Sequence, residues 1–330
     1  MGLSLISLFT FVFLSFLLFF FHLASSRQSF CHDNEHSALL QFKESLAIDK
    51  SASYDASAYP KTTHWNLEED SSDCCSWEGV KCNEDTGYVI ELDLSSSCLY
   101  GSINSTSTLF NLVHLQWLSI ADNDFDGSKI PSAINNLSKL SHLNLSFSVF
   151  SGQIPSEMLE LSKLESLDLS KNGLLQLQQP GLESLAEKLT NLKVLDLSGV
   201  NISSSIPHGL TNLSALEFLF LESCELEGTI PSSLGNLNNL IRLDLSQNNF
   251  WGIIPFSFGN LNNLIRLNLF RNNFWGTIPS SFGSLNNLIY LDLSQNNFWG
   301  IIPSSLGSLN NLIHLDLSDN NFWGKLHTSI

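Results

Sequence analysis

The segment NLIRLDLSQNNFWGIIP (residues 239–255) is followed by NLIRLNLFRNNFWGTIP (263–279), NLIYLDLSQNNFWGIIP (287–303) and NLIHLDLSDNNFWGKLH (311–327). The anchor leucines Leu243, Leu267, Leu291 and Leu315 stand 24 residues apart. The same LxLxxN frame runs back through Leu219, Leu195, Leu167, Leu143, Leu118 and Leu92, with steps of 24, 24, 28, 24, 25 and 26. A period of this length marks a solenoid. The two leucines of LxL share one face of a short strand, and the residue between them points to the other face. One repeat cannot bury its leucines, whereas stacked neighbours bury each other's. Ten strands at about 4.8 Å predict roughly 48 Å of concave parallel sheet.

Five residues after the anchor leucine, the turn calls for an interior side chain that hydrogen-bonds. Asn123, Asn172, Asn248, Asn272, Asn296 and Asn320 supply it, and Ser97, Ser148, Val200 and Cys224 interrupt the column. A buried amide without partners costs about 1–3 kcal/mol, so this column is favourable only if its members satisfy neighbouring backbone groups. Val200, together with the insertion around Gln178, Gln179 and Pro180, marks the stretch from Leu167 to Leu195 as irregular. Seven of the nine prolines close Ile-Pro pairs, at Pro131, Pro155, Pro207, Pro231, Pro255, Pro279 and Pro303, where they forbid continuation of a helix.

The LxGxIP frame resembles the plant-type extracellular leucine-rich repeat. The resemblance covers about residues 31–330. It implies an α/β class fold: a right-handed leucine-rich-repeat solenoid with a concave parallel β-sheet and a disulfide-bonded, helical N-terminal cap. Cys31, Cys74, Cys75 and Cys82 surround a helical-looking stretch from His36 to Ile48, and the run Cys74-Cys75-Ser76-Trp77-Glu78-Gly79-Val80-Lys81-Cys82 matches the family's cap motif. The four cysteines alone allow three connectivities. The resemblance implies Cys31 to Cys74 and Cys75 to Cys82. Cys98 and Cys224 lie five repeats apart, about 24 Å, whereas a disulfide needs Cα atoms within about 7 Å, so they do not pair.

Leu3 to Phe21 is almost wholly apolar, no charge precedes Arg27, and Ala24-Ser25-Ser26 suits a signal peptidase. The reading is a signal peptide over 1–26, then the cysteine-containing cap over 27–89, then ten repeats over 90–330, the last incomplete. The rival for the first segment is an uncleaved signal anchor. No later run approaches the about 18 apolar residues of a spanning helix. Export places the chain in an oxidising compartment, which favours disulfides over thiolate metal sites. It also exposes five N-x-S/T sequons to glycosylation, at Asn104, Asn136, Asn144, Asn201 and Asn212.

With 15 Lys and Arg against 32 Asp and Glu, the net charge of −17 argues against nucleic acid, which needs clustered cations to displace counterions. His32-Asp33-Asn34-Glu35-His36 matches an inverted zinc-protease motif, but it sits beside a cap cysteine and lacks a further ligand. No phosphate-loop or nucleophile-elbow pattern is present, so neither enzyme chemistry, a cofactor nor a metal is expected.

Side chains flanking the core leucines face solvent and vary freely. Phe218, Phe220, Arg242, Arg266, Phe270, Arg271 and Tyr290 depart from the LDLS filler with aromatic and Arg side chains, the commonest interface anchors, and form the candidate ligand patch. Trp251, Trp275, Trp299 and Trp323 form a second column, read either as an adhesive stripe or as a record of tandem duplication. Together these features resemble the extracellular part of plant receptor-like proteins. That implies recognition of pathogen- or self-derived ligands (protein, peptide or glycan) in defence or signalling, without an intrinsic kinase and through a partner receptor kinase. The chain is expected in the secretory pathway, at the plasma membrane if a missing C-terminal membrane helix is restored and otherwise secreted. No closing cysteine pair follows the last repeat, which suggests a C-terminally truncated receptor. The alternatives are a secreted inhibitor resembling polygalacturonase-inhibiting proteins, or a non-functional truncated copy.

Overall fold

The structure is a computed structural model that describes residues 30–65 and 73–323, so the leader at 1–26 lies outside the described residues. All ten anchor leucines fall on strands of one sheet and pair in register, from Leu92 with Leu118 through to Leu291 with Leu315. An eleventh strand, Val80–Cys82, is added from the cap and runs antiparallel to Val89–Asp93. The anchors are 0–1% exposed from Leu92 to Leu291, so the period-two pattern of LxL does place its leucines inside. A spine of phenylalanines backs them, with Phe250, Phe274, Phe298 and Phe322 stacked at 6.0–6.3 Å between centroids.

The asparagine column is a set of inter-repeat staples. Asn172 donates from Nδ2 to the carbonyls of Leu145, Leu169 and Ser170, and its Oδ1 accepts the N–H groups of Ser148 and Phe150. Where the column is interrupted, Ser148 Oγ reaches the Ile120 carbonyl and Cys224 Sγ the Leu197 carbonyl, each a repeat back. The LDLS filler also has a structural role. Asp168, Asp244, Asp292 and Asp316 each accept both the N–H and the O–H of the serine two residues on, at 2.6–2.9 Å, which fixes the turn leaving the strand.

Each Ile-Pro proline caps a short 3₁₀ turn, as Pro255 does for Phe256–Asn260, with its carbonyl accepting the Phe258 N–H at 3.1 Å. These prolines therefore open the outer turn, because a residue with fixed φ and no N–H suits a helix start. In the irregular repeat the extra residues replace the 3₁₀ turn by an α-helix, Leu182–Lys188. The cap helix α1 is Asp33–Glu44 and buries Ala38, Leu39 and Phe42, with Asp33 and Glu35 in its first turn and Lys43 in its last, as the helix dipole favours. It starts and ends earlier than expected. Ala47 and Ile48 leave it to pair antiparallel with Tyr100 and Leu99, because the first repeat presents an open strand edge there.

A second, lateral sheet was not anticipated. Glu227–Gly228, Asn249–Gly252, Asn273–Gly276, Asn297–Gly300 and Asn321–Phe322 lie side by side and parallel. Its glycines are required: Gly276 has φ +93°, and a Cβ there would stand 2.8 Å from Ile253 Cγ2.

Candidate ligand-binding surface

Strand register brings four of the seven patch residues into one row on the concave face. Phe218 pairs with Arg242, Arg242 with Arg266, and Arg266 with Tyr290. Arg242 lies over the Phe218 ring, 5.8 Å from its centroid, and Arg266 over Tyr290 at 4.3 Å. The two guanidiniums thus lean apart, each onto the ring of its outer neighbour, and open a gap between two like charges. Among the described residues neither is ion-paired with a carboxylate. In the next row Asn268 Nδ2 donates to Asp244 Oδ2 at 2.8 Å.

The other three patch residues are arranged differently. Phe220 stands in the next row opposite Asp244 and stacks on Phe218 at 6.5 Å. Phe270 and Arg271 lie past the end of the strand Arg266–Asn268, with Arg271 in a left-handed turn at φ 53°. The arginine trio is therefore a pair and an outlier. The patch also lacked one member, His314, whose ring stacks on Tyr290 at 4.3 Å and 5°. Its signal was in the sequence, since it stands one residue before Leu315, in the same column as Tyr290.

Burial, reinforced by the charge and hydrogen bond of Asp292, holds the Tyr290 phenol above its usual range. Further along the face, burial pushes the Asp196 carboxyl up to about 6; the Ser198 N–H and hydroxyl oppose this, the Asp168 charge adds to it and Lys171 opposes it. Beside the row runs a groove of about 660 Å³ lined by Ile241, Ile265, Ile289 and Ile313. Its rim is held by Asn239, Asn263, Asn287 and Asn311, each bonded to a carbonyl one repeat back at 2.7–3.0 Å. The NNLI that recurs in the four repeats supplies both the isoleucines and the rim asparagines of this groove.

The tryptophan column lies on the lateral sheet. Trp251, Trp275, Trp299 and Trp323 are 43–58% exposed, and Trp299 stacks on Trp323 at 5.6 Å. In the cap, Cys31 is bonded to Cys74 and Cys75 to Cys82, with Cα separations of 5.5 and 5.4 Å, and Cys98 and Cys224 are buried free thiols. The zinc-protease-like run is dispersed into packing. His32 stacks on Tyr88, buried Glu35 accepts the Val89 N–H and faces His114, and His36 packs on Trp77. Of the sequon asparagines, Asn104, Asn136 and Asn212 are exposed. Asn144 and Asn201 are half-buried, with Asn144 Oδ1 holding Ser146 and Asn201 Nδ2 donating to Glu225.

A solenoid with an N-terminal cap, a buried leucine core and a solvent-facing concave row has the architecture of the leucine-rich-repeat class. The Leucine rich repeat N-terminal domain model matches residues 32–83, and leucine rich repeat models match 191–213, 215–237, 239–261 and 266–322. Receptor-like protein 6 of Arabidopsis thaliana is 40% identical over 198 residues, which is 56% of this chain and 20% of that protein. The ectodomain of the Arabidopsis receptor kinase HAESA, solved with an extended IDA peptide hormone, superposes with a TM-score of 0.70 at 32% identity, over 87% of this chain and 49% of that one. A plant ice-binding protein superposes with a TM-score of 0.75 at 30% identity, over 91% of this chain and 90% of that one. The chain belongs to the leucine-rich-repeat proteins, and its sequence is similar to part of the plant receptor-like proteins. It spans about a fifth of the length of the curated relatives it matches. No helix among the described residues is long and apolar enough to cross a membrane.

Proposed function

We propose that this protein is an extracellular ligand-recognition protein of the receptor-like kind, a binding rather than a catalytic protein. In this reading residues 1–26 export the chain, 27–89 cap it, and the concave face of 90–330 meets the ligand. The ligand is an acidic peptide or glycan of pathogen or self origin, and signalling passes through a partner receptor kinase at the cell surface. The observation that carries the reading is the in-register row of Phe218, Arg242, Arg266 and Tyr290, which presents two unpaired guanidiniums between aromatic rings on a chain of net charge −17. Guanidiniums bind carboxylates through charge-assisted, often bidentate bonds, and the rings beside them supply anchors that lose little rotamer entropy. The HAESA ectodomain and its peptide hormone support a peptide as occupant. The test is a binding screen of acidic peptides and oligouronides against the folded chain, repeated with Arg242→Ala, Arg266→Ala, Phe218→Ala and Tyr290→Ala. Each arginine variant is expected to weaken binding at least tenfold with an unchanged circular dichroism spectrum. Unchanged affinity in all four moves the site elsewhere.

A second reading has its own observation: the plant ice-binding protein is matched over nearly its whole length. From Asn249 to Phe322 the lateral sheet supplies what a crystalline surface requires, an uncharged array of exposed Asn and Trp columns at a constant strand spacing, with the exposed Glu227 at its N-terminal edge. Inhibition of ice recrystallisation that is lost in Trp275→Asp and kept in Arg266→Ala supports this reading, and its absence from the unmodified chain removes it.

A further inference from the structure

At the C-terminal end of the same face, Asp292 and Asp316 stand directly opposite each other on adjacent parallel strands, and His314 lies two residues before Asp316 on the same side. One donor atom from each of the three lies within 4.8 Å of the other two. Like charges directly opposite each other on neighbouring strands are destabilising, and among the described residues neither carboxylate has an ion-pair partner. Each carboxylate uses Oδ1 for its serine, Ser294 or Ser318. Among the described residues that leaves Asp316 Oδ2 without a hydrogen bond, and Asp292 Oδ2 with a single long one, 3.2 Å from the Tyr290 hydroxyl. Asp292 is 9% exposed, so one of the two charges is desolvated. The imidazole is held flat against Tyr290, whose other neighbour is the Arg266 guanidinium.

We propose that Asp292, His314 and Asp316 form a divalent-metal site of the zinc class on the concave face. One imidazole nitrogen and two carboxylate oxygens are a donor set that zinc accepts, at about 2.0–2.2 Å from each, and exposed His314 closes on the metal by small side-chain rotations. Calcium and magnesium, which take oxygen ligands in larger number, are poorly served by it. Three protein ligands leave a fourth, tetrahedral position open toward the concave cleft. Tyr290 and His314 thereby join the guanidinium row to the metal, and the Tyr290 hydroxyl orients Asp292 as a positioning group.

The probe is zinc alone, titrated by calorimetry into the untagged, chelator-treated chain, with thermal unfolding followed in parallel. The expected result is one zinc per chain at micromolar affinity, with a rise in melting temperature that a chelator reverses and millimolar magnesium does not reproduce. His314→Ala, an exposed change that leaves every serine bond in place, should weaken zinc at least tenfold with an unchanged circular dichroism spectrum. Tyr290→Phe should weaken it severalfold. Absence of zinc binding, or zinc binding that His314→Ala leaves unchanged, overturns the proposal. Either result leaves the guanidinium row untouched, because that row is tested by ligand binding without metal.

Discussion

Replacing Asn248 by alanine removes five hydrogen bonds while leaving the apolar core intact. Its Nδ2 donates to the carbonyls of Leu221, Leu245 and Ser246, and its Oδ1 accepts the N–H groups of Cys224 and Leu226, all at 2.7–3.1 Å. Two of these groups keep other partners. The Leu245 carbonyl still receives Asn272 Nδ2, and the Ser246 carbonyl still receives the Ser223 N–H. The N–H groups of Cys224 and Leu226 and the Leu221 carbonyl are left buried and unpaired. At about 1–3 kcal/mol for each orphaned group, and with part of the loss recovered by relaxation, the expected destabilisation is about 4 kcal/mol. Because a solenoid is held by nearest-neighbour interfaces, the damage should also fall between the repeats of Leu219 and Leu243 and separate the unfolding of the two halves. Urea titration followed by far-ultraviolet circular dichroism reads the total. Tryptophan fluorescence weighted toward Trp251, Trp275, Trp299 and Trp323 reads the C-terminal half. The exposed neighbour substitution Asn249→Ala is the control and should stay within about 0.5 kcal/mol. A loss below about 1 kcal/mol for Asn248→Ala, in a single transition, would refute the staple argument.

Asp196, with its carboxyl raised from 3.8 to about 6 by burial, binds a proton more tightly folded than unfolded. Stability from this group is therefore fully present below pH 4 and lost as pH rises through about 6, so Asp196→Asn should stabilise the fold at pH 7.5 by on the order of 2 kcal/mol and change little at pH 4, read as the difference between urea midpoints. Glycan mapping of the exported protein should find Asn104, Asn136 and Asn212 occupied and Asn201 bare, since Asn201 Nδ2 is bonded to Glu225; full occupancy at Asn201 counts against this. Burial pushes the Cys224 thiol up to about 12, so iodoacetamide should leave Cys224 unlabelled in the native chain at pH 8 and label it in urea.

The candidate site was only partly legible in the sequence. Residue type picks out Phe218, Arg242, Arg266 and Tyr290, and the constant step of 24 residues aligns them. Arg271 was grouped with the other arginines because charge is visible in a sequence and a left-handed turn at φ 53° is not. His314 shares the column of Tyr290 and was legible as a position, whereas its stacking on the Tyr290 ring is a contact between strands that only the fold shows. The Ile241 to Ile313 groove was overlooked because it is an empty space, defined by where two sets of side chains diverge.

What the sequence by itself determined is the part set by local period: the number of repeats, the inward leucines, the buried asparagine column and the prolines at the outer turns. Each follows from chain geometry within about 24 residues, and the number of repeats from how often that unit recurs. The lateral sheet, the pairing of Ala47 and Ile48 with Tyr100 and Leu99, and the stacking of His314 on Tyr290 were decided only by tertiary structure. They depend on which backbone edges remain open once neighbouring repeats have stacked, and on side chains meeting across strands, both of which come into being only when the repeats are assembled.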